Sequence, residues 1–156
     1  NGLVSITATA SSYTVEAQPV IGLSEASRAL FLEWEDGTQS NPRTVSASSD
    51  TTLMARYKAE HLLTITSPFG DPVGGGWYEE GTEAVFSVTP LQGFVPQRSF
   101  TGWSGDSDDS SHISSIIMDG PKSVAANWET NYTRLYIVIG ILVITTSAVL
   151  MKKSGS

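Results

Sequence analysis

The sequence predicts a mainly β chain: two small β-rich repeat modules followed by a single C-terminal transmembrane α-helix. Three observations predict it. Residues alternate apolar and polar in short runs broken by Gly, Pro, Asn and Asp, the pattern of half-buried strands. Blocks of the first half recur in the second. Leu135 to Met151, LYIVIGILVITTSAVLM, holds seventeen residues without a charge and is followed by Lys152-Lys153.

Near the start, LVSITAT (residues 3–9) alternates, and so does Tyr13 to Ala17. Gln18 to Gly22 breaks the pattern, and residues 24–30 read as an irregular loop leading into a strand over Ala29–Glu33. Asp36-Gly37 and Asn41-Pro42 are turn signals. Thr44 to Ser46 is a short strand, and Ser48 to Asp50 is a turn. Leu53, Ala55 and Tyr57 alternate with Met54, Arg56 and Lys58, as on a half-buried strand. Leu63 and Ile65 lie in a strand ending at Ser67-Pro68. A loop with four glycines, Phe69 to Gly76, leads to Trp77-Tyr78 and a turn at Glu80-Gly81. Ala84, Phe86 and Val88 form the inward face of the next strand.

The repeat is read block by block. Tyr13-Thr14-Val15 matches Phe86-Ser87-Val88, and Gly22 matches Gly93. Phe31 to Trp34 matches Phe100 to Trp103, Gly37 matches Gly105, and Asp50 matches Asp119. Leu53 to Tyr57 matches Val124 to Trp128. Trp34 and Tyr57 are 23 residues apart and Trp103 and Trp128 are 25 apart, which fits a two-residue loop insertion. The second copy has a full hairpin from His61 to Val88, and the first has only Leu3 to Val15 in its place. The expected domains are 1–58 (degenerate or truncated), 59–130 (complete) and 131–156, the last holding the helix over about 135–151.

The blocks GGGWYEEGT (74–82), FSVTP (86–90), Gly93-Phe94, FTGWSGD (100–106) and MDGPKSVAANW (118–128) occur in order. This pattern resembles the divergent internalin-B-type repeat of bacterial and archaeal surface proteins. Residues 61–129 carry the whole motif and residues 13–58 its second part. With a terminal anchor and a short lysine tail, the combination looks most like archaeal surface proteins. The resemblance implies β-rich modules arrayed outside the cell as stalks or adhesive segments, and it implies no catalytic residues.

Charge and composition narrow the function classes. The chain carries 16 acidic and 9 basic residues. Six bases and all 16 acids lie in residues 1–130, so that part carries 6 − 16 = −10. Such a surface repels nucleic acid. There is no cysteine, which excludes disulfides, thiolate metal sites and cysteine nucleophiles. The chain begins at Asn1, and a signal sequence is expected upstream.

Several residues are candidate sites. Asp106, Asp108 and Asp109 cluster hard oxygen ligands suited to Ca²⁺, though the loop lacks the glycine and twelfth-position acid of a helix-loop-helix calcium site. A solvated turn is the competing reading, and no other cofactor is implied. Trp34, Tyr57, Trp103 and Trp128 recur at repeat-equivalent places and read as core. Trp77 has no counterpart and sits beside the glycine loop, so it is the candidate for an exposed contact. His61 and His112 are the only histidines, and no nucleophile-elbow motif accompanies them. Asn131-Tyr132-Thr133 is a glycosylation sequon. Within the apolar stretch, Gly140, Thr146 and Ser147 are small enough to pack a helix on another helix.

Two functions are expected from different classes. The first is a non-catalytic, membrane-anchored cell-surface β-repeat protein, a stalk, adhesion or envelope-interaction module. Its N-terminal part lies outside the cell and Lys152-Lys153 in the cytoplasm. The second is an accessory single-span subunit of a membrane enzyme complex, with its β modules covering the outer face. The partners expected are membrane lipid, other membrane subunits or neighbouring surface-protein repeats.

Overall fold

The computed structural model describes residues 2–6, 12–46, 49–93 and 96–154, with side chains described over 12–46, 49–91, 93 and 96–148. Among the described residues twelve strands precede one helix. They divide into two compact units. The first comprises Asn1–Leu63, Gly76–Ala84 and Ile117–Lys122; the second comprises Thr64–Gly75, Val85–Ile116 and Ser123–Ser156. Units and sequence repeats are therefore cut differently. Part of the second repeat, including its tryptophan strand Gly76–Glu79, folds with the first unit.

In the first unit, β3 (Val20–Ser24) and β4 (Ser27–Trp34) form a hairpin through Glu25-Ala26. This replaces the irregular loop expected over 24–30. Strand β4 pairs antiparallel with β6 (Thr51–Thr66), from Ser27↔His61 to Trp34↔Ala55, with a register shift between Phe31 and Glu33. Strand β1 (Gly2–Ile6) pairs with β6 over Thr51–Ala55, and β7 (Gly76–Glu79) pairs with it over Glu60–Leu63. Strands β2 (Tyr13–Val15) and β5 (Arg43–Val45) make a separate two-stranded sheet. The core between the two sheets is Val15, Ala17, Trp34, Leu53 and Ala55, with Tyr13, Phe31, Val45 and Tyr57 packed against it. Leu53, Ala55 and Tyr57 are alternate residues of β6, and Tyr13 and Val15 of β2, so the period-two pattern directs one face inward.

The second unit repeats the plan. Strand β10 (Gln97–Gly105) pairs with β9 (Leu91–Gln92) and with β12 (Lys122–Asn131). Strand β8 (Glu83–Ser87) runs beside β11 (Ile113–Ile117) in a second two-stranded sheet. Phe86, Val88, Trp103, Val124 and Ala126 are buried. The register is the same as in the first unit. Phe100 lies opposite Trp128 and Trp103 opposite Ala126, just as Phe31 lies opposite Tyr57 and Trp34 opposite Ala55. The register shift recurs too, between Phe100 and Gly102.

The C-terminal helix α1 runs Thr133–Ser154. Asn131 Oδ1 accepts the Thr133 amide at 2.8 Å and so satisfies one of the donors at its start. The expectation of a transmembrane helix over 135–151 is corrected here: among the described residues no helix is long and apolar enough to cross a membrane. The helix includes Arg134 and the polar run Thr145-Thr146-Ser147, which interrupt its apolar surface.

Candidate functional site

The two tryptophans that organise the repeats are held alike. The Trp34 indole donates to the Ser40 carbonyl at 3.0 Å, and the Trp103 indole to the Ser111 carbonyl at 2.9 Å. The Phe31 and Phe100 amides donate to the carbonyls of Pro19 and Pro90, both at 2.9 Å. Edge-on aromatic contacts complete each core. Phe31 meets Trp34 at 5.6 Å and Tyr57 at 6.0 Å; Phe86 meets Trp103 at 4.8 Å, and Phe100 meets Trp128 at 5.9 Å. Trp34 is fully buried and Trp103 nearly so, so both rings are filled by packing and present no face to a ligand.

The acidic loop is the inserted one. The Trp34 amide donates to Thr38 O, four residues on, and the Trp103 amide to Asp109 O, six residues on. The two-residue difference between the repeats thus lies in the turn that carries Asp106, Asp108 and Asp109. Asp106 Oδ2 accepts the Ser123 amide at 2.7 Å, and Asp109 Oδ1 accepts the Ser111 amide at 2.9 Å. The Ser111 amide, with the Ser114 hydroxyl, holds the Asp109 carboxyl below its ordinary value. Asp108 is exposed. Among the described residues no group of three or more His, Asp or Glu side chains is placed to hold a metal ion.

Trp77 is half-buried, beneath the Arg28 guanidinium at 4.3 Å from the ring centre. Arg28 also donates through Nε and Nη2 to Glu60 Oε2, at 2.9 and 2.8 Å. Lys58 bridges to Glu79 at 3.1 Å and to Glu60 at 3.8 Å. One face of β4, β6 and β7 therefore carries a tryptophan roofed by an ion-pair lattice. Its register sets Arg28 opposite Glu60, and Glu60 opposite the like-charged Glu79, with Lys58 reaching both glutamates. Sequence reading missed this lattice because Arg28, Glu60 and Glu79 lie far apart along the chain and meet only through strand pairing.

The next row holds Ser27, His61 and Tyr78. Ser27 is buried, and its Oγ lies 2.9 Å from His61 Nδ1. His61 Nε2 is buried without a hydrogen-bond partner. A catalytic dyad would need an open substrate face on the serine, and Ser27 is only 9% exposed. The second histidine, His112, serves through its main chain, where its carbonyl accepts the Val88 amide at 3.0 Å.

Asn131 is exposed, and its side-chain oxygen is engaged in the turn that starts α1. On the helix, the Thr146 hydroxyl donates back to Leu142 and Val143 carbonyls, and Thr145 does the same to Ile141 and Leu142. A methyl added at Gly140 would meet nothing within 4 Å, and Ser147 is exposed. The structure thus places these small residues on open helix surface and not at a helix–helix contact among the described residues.

What the geometry shows is a twice-used scaffold whose aromatic, acidic and histidine groups are engaged in packing, turns and ion pairs. Residues 63–132 match the family model of the divergent InlB B-repeat domain. The match supports a repeat surface-protein family, and B-repeat domains are in general non-enzymatic. It spans the second repeat, where the sequence carries the complete motif. No curated protein and no solved structure matches the chain.

Proposed function

We propose that this chain is a non-catalytic cell-surface segment, in which B-repeats act as spacer or adhesive modules outside the cell and contact neighbouring surface-protein repeats. The observation that carries the reading is the B-repeat match over 63–132, joined to an equivalent register in residues 13–58. Among the described residues, Ser27 beside His61 is buried and the acidic loop brings no three metal-ligating side chains together. Asp109 accepts an amide of its own loop, Asp106 accepts the Ser123 amide of β12, and Trp34 and Trp103 are interior. Two similar repeats in one chain suit a structural role, since modular repeats build surface from one packing solution.

Exposure on living cells tests it. Brief protease treatment of intact cells should release peptides from residues 13–131. Protection of those residues in intact cells, together with their cleavage after lysis, would overturn the surface assignment.

A further inference from the structure

The chain holds four asparagines, Asn1, Asn41, Asn127 and Asn131. Only Asn131 is followed two residues on by Ser or Thr with no proline between. That tripeptide, Asn131-Tyr132-Thr133, is the acceptor spacing for an N-linked sugar. The fold decides whether its amide is available.

Asn41 is engaged at both ends of its amide. Its Oδ1 accepts the Ala17 amide at 2.9 Å, and its Nδ2 donates to the Ala17 carbonyl at 2.7 Å. Asn127 Oδ1 accepts the Ser104 hydroxyl at 3.3 Å. Asn131 differs from both. Its Oδ1 accepts the Thr133 main-chain amide at 2.8 Å, and among the described residues its Nδ2 makes no hydrogen bond. All three residues of the tripeptide are exposed. Asn131 ends β12 opposite Gln97, at the last pair of the β10–β12 ladder, and Tyr132 lies between β12 and α1. Only that terminal pair must open for the tripeptide to leave the sheet, and the ends of elements open at little cost.

A carboxamide nitrogen is a weak nucleophile because its lone pair is shared with the carbonyl. A hydrogen bond received at Oδ1 stabilises the negative oxygen that forms as Nδ2 gives up a proton, as a donor aimed at any developing oxyanion does. The Asn131–Thr133 turn supplies that donor and leaves the nitrogen free.

We infer that Asn131 is a glycan attachment site, its Nδ2 taking the sugar of a lipid-phosphate-linked oligosaccharide. The bond from Nδ2 to the anomeric carbon forms, and the bond from that carbon to the phosphate oxygen breaks. The lipid phosphate leaves with the bonding pair, and the Nδ2 proton passes to a base of the transferase. The inference rests on the proposed surface role, since the acceptor must lie on the secreted side. It adds a bulky polar group where the ladder meets α1, beside Tyr132, which is 48% exposed.

Trypsin cuts after Lys122 and Arg134, so one peptide, residues 123–134, carries Asn127 and Asn131 together. Full-length chain isolated from its own cells should yield this peptide with a sugar mass increment that fragmentation places on Asn131, and with Asn127 unmodified. Thr133→Ser should keep the increment. Asn131→Gln should lose it, and so should Thr133→Ala, which retains the main-chain amide of the turn. An unmodified Asn131, the same increment on Asn127, or an increment that survives Thr133→Ala would overturn the inference. Protease treatment of intact cells separates it from the surface role. Bare Asn131 in a chain whose β modules are cleaved on intact cells overturns glycosylation and leaves the surface role standing. Bare Asn131 in a chain protected until lysis overturns both.

Discussion

Asp36 shows how one residue serves a turn and a strand together. Its Oδ1 accepts the Thr38 amide at 3.0 Å, and its Oδ2 accepts from Arg43 Nη1 at 2.7 Å. Arg43 in turn lies over the Trp34 ring at 4.6 Å, its side chain only 9% exposed. The Thr38 amide and hydroxyl, and then Arg43, hold the Asp36 carboxyl below its ordinary 3.8. Asp109 and Asp119 are lowered as well, the first chiefly by the Ser111 amide and the second chiefly by Lys122. A carboxyl lowered in the folded state favours folding above its unfolded value, and that contribution is lost as pH falls through the folded value. Thermal melts should therefore hold a steady midpoint down to about pH 4 and fall below it. Asp36→Asn should lower the midpoint at neutral pH and make the acid fall shallower. An acid limb identical to wild type would contradict this account of Asp36. The turn itself was legible, since Asp-Gly is a strong local signal. The partner Arg43 was not, because ion pairs across a loop leave no periodic trace in the sequence.

At the scale of elements, the strands were legible wherever apolar residues alternate, as at Leu53-Ala55-Tyr57 and Ala84-Phe86-Val88. The hairpin of β3 and β4 was not. Its turn is Glu25-Ala26 and its strand carries Ser27 and Arg28, which hydrogen bonding to β6 holds extended against weak local preference. The C-terminal segment shows the converse. Its apolar run predicted the helix correctly, but the described helix is not long and apolar enough to span a bilayer. Close strand packing explains one glycine in the second unit. Gly105 has φ +98°, and a methyl there would press on the Ser123 carbonyl, with Val124 Cα at 3.5 Å. Gly37, by contrast, has φ +81° in open space. Denaturant titration should show Gly37→Ala costing about 1 kcal/mol, the strain of left-handed backbone alone. Gly105→Ala should cost above about 2 kcal/mol, because the strand pair must also move. Equal costs would contradict the packing described for β10 and β12.

For the whole molecule, the repeat was legible because blocks such as Phe31 to Trp34 and Leu53 to Tyr57 recur as Phe100 to Trp103 and Val124 to Trp128, and the structure gives these blocks the same register. How the repeats are distributed between units was not legible. The first unit takes Gly76–Ala84 and Ile117–Lys122 from the second repeat, a consequence of long-range pairing on β6. The candidate sites were legible as residue types only. The carboxylates of the acidic loop look like ligands in sequence, and in the structure Asp109 accepts an amide of the turn lengthened by two residues and Asp106 accepts the Ser123 amide of β12. Trp77 reads as an exposed contact in sequence, and in the structure it is roofed by Arg28.

The central claim is that residues 13–58 and the segment matched by the family model, residues 63–132, hold two copies of one β scaffold. Residue-resolved amide hydrogen exchange tests it most directly. The Phe31 and Trp34 amides bond to Pro19 and Thr38, and the Phe100 and Trp103 amides to Pro90 and Asp109. All four should be strongly protected, with protection at Phe31 and Phe100 similar and Trp34 tracking Trp103. Free exchange at Phe31 and Trp34 beside protected Phe100 and Trp103 would show that only the second copy is folded, and would contradict the account.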